Sequence, residues 1–161
     1  MTISLDTNDD PEDKWGAPLF EVLPFVDILM PNEAELCRMA KCTDLAGALD
    51  CMLRYVPTIV VKRGALGALV VSRESSSVAA PLRLPRVVDT VGAGDSFNAG
   101  FVAAFLSGRD LETAARCGNL CGALSTQGHG GIEAFANHEI REPFLQRHDV
   151  DGLLKSFLKV G

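Results

Sequence analysis

Short apolar runs alternate with helical stretches along most of this 161-residue chain. The β-branched run Thr58 to Lys62 predicts a strand, and Arg63 to Gly67 predicts the turn into a second strand, Ala68 to Val71. Shorter strands are predicted at Thr2 to Leu5 and Phe25 to Met30. Strands that alternate with helices form an α/β fold with a largely parallel sheet, whose ligands gather at the carboxyl ends of the strands.

Apolar periodicity and capping residues predict the helices. Thr43 is the expected N-cap of one of them, and Phe97, Phe101 and Phe105 recur every four residues, which predicts a buried face rather than a platform for adenine. A polar turn at Ser72 to Ser77 and an extended segment at Val78 to Val88 precede this face. The predicted helices are Pro18 to Val22, Glu33 to Met39, Asp44 to Tyr55, Ser96 to Leu106, Leu111 to Thr126, Glu139 to Arg147 and Val150 to Lys159.

Charge and hydropathy exclude several classes of partner. With 15 Lys and Arg against 21 Asp and Glu, the net charge is −6, and an acidic surface repels nucleic acid. No apolar run approaches the roughly 18 residues that span a membrane, and the acidic N-terminus is unlike a signal peptide. We therefore expect no nucleic-acid partner, no membrane insertion and a cytoplasmic location.

The five cysteines lack the spacing of a zinc site or of a redox CxxC pair, which indicates a reducing compartment. Cys117 and Cys121 would share one face of a helix. Buried thiols are one interpretation of this pair, and a metal site or a disulfide is the other.

Gly92, Ala93 and Gly94 precede a predicted helix and are followed by Asp95. Amides in a first helical turn lack intrahelical partners and lie at the positive end of the helix dipole, so this arrangement suits an anion such as a phosphate. Asp95 then suits a base that takes a proton from an attacking hydroxyl. The structural alternative is a tight turn with an acid that stabilises the dipole.

The seven residues Asp89 to Asp95, Asp-Thr-Val-Gly-Ala-Gly-Asp, resemble the C-terminal signature of the ribokinase-like, or PfkB, carbohydrate kinases. Asn32-Glu33-Ala34-Glu35 resembles the Asn-x-x-Glu motif of that family, and Lys62 to Gly67 and Asn119 to Gly131 match further segments in the same order. The resemblance implies a ribokinase-like three-layer αβα sandwich with a mostly parallel sheet. Residues 1–161 would form one partial domain, the nucleotide-binding and catalytic half, without the N-terminal half and its lid.

The resemblance also implies roles for single residues. Asp95 would be the catalytic base, and Gly92, Ala93 and Gly94 would stabilise the transferring phosphoryl group of ATP. The remaining assignments are Asn32 and Glu35 for Mg²⁺, Lys62, Gly64, Gly67 and Asn119 for the nucleotide, and Asp89, Val91, Ser125 and Gly130 for K⁺. Structural alternatives are a helix cap for Asn32 and Glu35, a hairpin turn at Gly64, and a buried helix position for Asn119.

The predicted function is ATP-dependent phosphorylation of a sugar hydroxyl. Asp10 stands where many sugar-acid and fructose kinases carry arginine, which favours a neutral sugar or a nucleoside. Because the expected N-terminal half is absent, a catalytically silent nucleotide-binding or assembly module is the alternative, and an unrelated α/β domain is a third. An unpaired sheet edge would favour association with a partner or a second copy.

Overall fold

The computed structural model describes residues 1–7, 10, 12, 14–149 and 151–154. The chain divides into two compact units. The first contains Met1–Gly64 and Ala68–Val78, and the second contains Ala65–Gly67 and Ala79–Gly161. No helix in the described ranges is both long and apolar enough to cross a membrane.

A five-stranded sheet has its strands in chain order. The strands are β1 (Ser4–Leu5), β2 (Ile28–Leu29), β3 (Thr58–Lys62), β4 (Ala68–Ser72) and β5 (Ser76–Ala79). Strands β1, β2 and β3 are parallel, and β4 runs antiparallel to β3 with Lys62 opposite Ala68. The predicted hairpin is confirmed, and its turn contains a 3₁₀ helix at Gly64–Leu66.

Three helices belong to the first unit: α1 (Ala17–Val22), α2 (Glu33–Ala40) and α3 (Leu45–Met52). Leu36 of α2 and Met52 of α3 are fully buried in one apolar core with Leu29 and Ile59 of the sheet. The N-cap of α3 is Asp44 and not Thr43 as predicted, because the Asp44 carboxylate accepts the Gly47 amide at 2.9 Å.

The short strands differ from the prediction. Only two residues of each predicted run pair as β1 and β2, and Leu23–Phe25 forms a 3₁₀ helix because Pro24 fixes φ and has no amide to donate. Strand β5 begins inside the predicted polar turn, at Ser76, and ends at Ala79. The predicted extended segment is therefore a strand only at its start.

Within its described residues, the second unit contains four helices: α4 (Ala93–Leu106), α5 (Leu111–Ser125), α6 (Glu133–Ala136) and α7 (His138–His148). Helix α4 begins three residues before its predicted start, so Asp95 lies in its first turn. Helix α6 is too short to show a period and was not predicted. Of the predicted final helix, residues 151–154 are not helical and the others lie outside the described residues.

Helices α4 and α5 pack so closely that no β-carbon fits at two of their glycines, Gly100 and Gly118. A β-carbon at Gly100 of α4 would lie 2.5 Å from the Cys121 sulfur and 2.9 Å from the Cys117 carbonyl. A β-carbon at Gly118 of α5 would lie 2.8 Å from the Phe97 ring. Two residues of the predicted phenylalanine face, Phe97 and Phe101, are buried and stack on one another. The third, Phe105, stacks on Phe101 but is only half-buried.

Cys117 and Cys121 are buried on α5, and both thiols are free. Burial raises the pKa of Cys117 to about 11 and that of Cys121 to about 12. Both thiols therefore stay protonated at neutral pH, where the neutral thiol is a poor nucleophile and a poor metal ligand. They act as small apolar groups between the two helices.

Gly100→Ala should destabilise the chain by about 1–3 kcal/mol, because the new methyl group overpacks the contact between α4 and α5. Thermal and urea unfolding would measure the loss. The matched control is Gly47→Ala in α3, where a β-carbon meets no atom closer than 3.6 Å. That control should be neutral or stabilising by about 0.5–1 kcal/mol, and equal stability of the two variants would contradict the packing argument.

Candidate active site

Helix α4 begins without a side-chain cap. Gly92 is its N-cap in the left-handed conformation, with φ of 74° and ψ of 3°, and no side chain bonds to the first turn. The Ala93 amide donates to the Thr90 carbonyl at 3.2 Å, and helix geometry leaves the Gly94 and Asp95 amides without an intrahelical acceptor. Asp95 is exposed in this turn. The turn thus combines free amide donors with a carboxylate.

The other helices of eight or more residues in the described ranges begin differently. An Asn or Asp side chain caps each of them and accepts an amide of the first turn. These caps are Asn32 for α2, Asp44 for α3, Asp110 for α5 and Asn137 for α7. Among these longer helices, only α4, which carries the glycine motif, lacks a side-chain cap, although the short helices α1 and α6 also lack one.

A second glycine lies against the start of α4. A β-carbon at Gly92 would lie 3.1 Å from the Gly131 α-carbon, and one at Gly131 would lie 2.9 Å from the Val91 carbonyl. Both glycines have positive φ, so a side chain at either would also strain the backbone. Gly131 was not among the predicted site residues, although the glycine-rich run that contains it was visible in the sequence.

Asp89 holds these two loops together. Its carboxylate accepts the Val91 amide at 3.0 Å and the Gly130 amide at 2.9 Å. The bonds from Gly130 and Val91 lower the pKa of Asp89 below its usual value. Hydrogen bonds thus join three of the four residues predicted for K⁺, namely Asp89, Val91 and Gly130. Ser125 is the last residue of α5, and its carbonyl accepts the Gly128 amide at 3.4 Å.

Asn119 and Gly67 both contact the chain at the end of β5. The Asn119 amide group donates to the Ala79 and Ala80 carbonyls at 3.0 and 3.1 Å. A β-carbon at Gly67 would lie only 2.3 Å from the Ala79 carbonyl. Two residues predicted for the nucleotide therefore fix one short segment of the second unit.

In the first unit, polar groups follow the parallel strands. Asn32 and Glu35 form a reciprocal capping box at the start of α2, so the predicted structural alternative is present. Lys62, at the end of β3, is ion-paired with Asp6 after β1 at 2.6 Å. Asp6 was not among the predicted site residues.

The predicted site residues are thus distributed over both units. Asn32, Glu35, Lys62 and Gly64 lie in the first unit, and Gly67, Asp89, Val91, Gly92, Ala93, Gly94, Asp95, Asn119, Ser125 and Gly130 lie in the second. Gly64 has positive φ and open space around its α-carbon, as a turn requires. Asp10 binds the amides of Glu12, Lys14 and Trp15.

Comparison with known proteins identifies the family. The family model described as pfkB family carbohydrate kinase matches residues 8–138. The chain belongs to this family. One family model thus spans residues of both units, and the interpretation as an unrelated α/β domain is wrong.

The relatives of this chain in the family are longer than the chain itself. The chain is 31% identical over 113 residues to an uncharacterized sugar kinase of Archaeoglobus fulgidus, which covers 70% of the chain and 45% of that protein. It is 34% identical over 121 residues to adenosine kinase of Saccharomyces cerevisiae, which covers 68% of the chain and 36% of that protein. The chain therefore spans less than half the length of these relatives.

A solved structure confirms the predicted ribokinase-like fold. A candidate ribokinase II from E. coli, in complex with ATP and Mg²⁺, is similar to this chain with a TM-score of 0.77 and 31% identity. The match covers 91% of the chain and 49% of that protein. The family and the fold follow from these comparisons and from the sheet described above.

Asp89→Asn should lower the free energy of unfolding of the chain by an amount that depends on pH. Because the folded state lowers the pKa of Asp89, the stabilisation is complete above the ordinary value of about 3.9 and fades as the pH falls through the lowered pKa. Urea unfolding should therefore show a larger deficit for the variant at about pH 7 than at about pH 3. Asp50→Asn, at an exposed position of α3, is the control, and a deficit independent of pH would contradict the role of the Asp89 charge.

Proposed function

We propose that this kinase-family chain carries the phosphotransfer half of an ATP-dependent enzyme that phosphorylates a hydroxyl of a small sugar or nucleoside. The uncapped start of α4 is the observation that carries the proposal. Gly92, Ala93 and Gly94 form this turn, and the Gly94 and Asp95 amides, which lack an intrahelical acceptor, would donate to the transferring phosphoryl group, which bears negative charge in the transition state. Similarity to sugar and nucleoside kinases supports the reaction class.

Asp95 is the proposed base. Its carboxylate is exposed in the first turn of α4, two residues after the first helical amide. It would accept the proton of the acceptor hydroxyl as that oxygen attacks the terminal phosphorus of ATP. The bond from phosphorus to the bridging oxygen breaks, and ADP leaves. The amides of the turn stabilise the charge while Asp95 receives the proton.

Asn32 and Glu35 of the first unit are the proposed magnesium residues. Glu35 is only 7% exposed, and its carboxylate offers the hard oxygen that Mg²⁺ prefers. Asn32 and Glu35 would hold the ion, which when bound would neutralise charge on the phosphates. Lys62, Gly64, Gly67 and Asn119 are proposed to contact the nucleotide or to shape the chain around it.

K⁺ at Asp89, Val91, Ser125 and Gly130 remains a prediction. The proposed ligands are the Asp89 carboxylate and the backbone carbonyls at Val91 and around Ser125 and Gly130. Each carboxylate oxygen of Asp89 accepts one amide and keeps a further lone pair. No step of the proposed reaction depends on K⁺.

The proposal also covers the cellular compartment, the acceptor and the association of the chain. The five free cysteines suit the cytoplasm, a reducing compartment. A neutral sugar or a nucleoside is the proposed acceptor, as expected from Asp10. β1 is an edge strand, and Ile3 and Phe25 near it are exposed by 36% and 71%, so association through this edge, including with a second copy, is part of the proposal.

A silent module is the second candidate. The chain spans less than half the length of the relatives described above, and positioning of the acceptor requires groups that hold the sugar. A chain that binds nucleotide without turnover would then serve in assembly. The presence of Asp95 favours the enzyme over this alternative.

Asp95→Asn should reduce acceptor-dependent ADP formation by about 10²–10⁴-fold, because the proton acceptor is lost. Its affinity for a nonhydrolysable ATP analogue with Mg²⁺ should stay unchanged, because the amides of the turn remain. Gly94→Asp should abolish that affinity, since its carboxylate would occupy the anion position. Turnover with ribose, fructose and adenosine, and calorimetric titration with the analogue, are the two measurements.

Gly94→Asn is the matched control for Gly94→Asp, because the Asn side chain has nearly the size of Asp but no charge. It separates the effect of charge on nucleotide binding from the effect of size. Binding retained in Gly94→Asp would contradict the anion site. Binding without turnover in the unsubstituted chain would favour the silent module. Turnover unchanged in Asp95→Asn would show that Asp95 is not the base.

A further inference from the structure

Two carboxylates hold the loop of residues 128–131, here called the glycine loop, which lies between α5 and α6. The His129 amide donates to Oε2 of Glu133 at 2.6 Å, and the next amide, that of Gly130, donates to Oδ2 of Asp89 at 2.9 Å. Asp89 precedes the start of α4, whereas Glu133 lies in the first turn of α6. Side chains from two different segments therefore fix two consecutive amides of the loop.

The glycine loop also contacts the residues that begin α4, here called the anion turn (residues 92–95). A β-carbon at Gly131 would lie 2.9 Å from the Val91 carbonyl oxygen and 3.1 Å from the Gly92 α-carbon. At this distance backbone meets backbone with no side chain between them, so a shift of the loop changes the contact directly. The position of the glycine loop and that of the anion turn are therefore coupled.

At its other end the glycine loop packs on α6. A β-carbon at Gly128 would lie 2.9 Å from the Ala134 amide nitrogen and 3.0 Å from Oε2 of Glu133. Glu133 itself is exposed, so loss of its side chain would leave no cavity in the core. Such a loss would act through the loop and not through the packing of the core.

The bond to Asp89 alone does not fix the glycine loop. Gly130, which donates that bond, has positive φ and open space around its α-carbon. Because glycine adopts many backbone conformations, one bond at this residue leaves its neighbours free to rotate. The bond from His129 to Glu133, one residue earlier, restricts that rotation.

We infer that Glu133 is a positioning residue for the anion turn, because its bond to His129 holds the glycine loop against Gly92. The inference rests on the proposed function for the identity of the anion as a phosphate of ATP. Glu133 acts only through backbone: it fixes one end of the loop, and Gly131 at the other end packs against the turn. A turn that is already fixed loses less conformational entropy when it binds a ligand.

Two substitutions of Glu133 test this role in the 161-residue chain. Glu133→Ala removes the acceptor of the His129 amide, so it should shift the amide NMR resonances of Gly94 and Asp95. It should also weaken the affinity for a nonhydrolysable ATP analogue with Mg²⁺ by about 2–30-fold, as expected of a residue that acts at a distance. Glu133→Gln keeps a side-chain oxygen that accepts an amide, and it should restore both the resonances and the affinity.

Asn137→Ala is the matched control. Asn137 caps α7 and accepts the Glu139 amide at 2.9 Å, so this variant also loses one bond from a side chain to an amide of the second unit. Loss of the cap should lower the melting temperature. It should leave the Gly94 and Asp95 resonances and the affinity for the analogue unchanged, because Asn137 does not bind the glycine loop.

Three results would overturn the inference. The first is a Glu133→Ala variant whose Gly94 and Asp95 resonances do not move. The second is an equal change in Asn137→Ala, since a general loss of stability would then explain the effect. The third is a Glu133→Gln variant that behaves like Glu133→Ala. Absence of analogue binding in the unsubstituted chain would instead contradict the proposed function, and the resonances would still decide whether Glu133 holds the anion turn.

Discussion

The contact between α4 and α5 is the constraint on which the second unit depends. Gly100 of α4 and Gly118 and Gly122 of α5 allow backbone and ring atoms to meet where a β-carbon would not fit. Gly122 lies against the Ala93 carbonyl, in the first turn of α4, so the contact reaches the candidate anion site. Packing at this distance is sensitive to single methyl groups and thereby fixes the start of α4.

Polar side chains in both units form hydrogen bonds with backbone amides and carbonyls and so fix the loops and helix starts. Asp89 binds the amides of Val91 and Gly130, and Asn119 binds two carbonyls at the end of β5. Such bonds fix loops that would otherwise lose much conformational entropy on binding a ligand. The reciprocal capping box of Asn32 and Glu35 fixes the start of α2 in the same way.

Local patterns predicted most of the elements, and long-range contacts account for what they missed. Thr58–Lys62 was predicted residue for residue because β-branched composition is a local signal. The bond from Gly130 to Asp89 joins residues 41 positions apart, and the ion pair of Lys62 with Asp6 joins residues 56 apart. No periodicity encodes such pairs. The motif predicted the turn from Gly92 to Asp95, but the close contact of Gly92 with Gly131 is visible only in the structure.

The missing cap of α4 distinguishes a structural from a chemical interpretation of the glycine motif. A helix that served packing alone would gain roughly a few tenths of a kcal/mol from a Ser, Thr, Asp or Asn cap in place of Gly. Helices α2, α3, α5 and α7 have such Asp or Asn caps. Gly92 gives up that gain and adopts positive φ against Gly131. A departure from local stability at one helix start is expected where an external anion completes the cap. The same first turn carries Asp95, so amides without an intrahelical acceptor lie beside the candidate base.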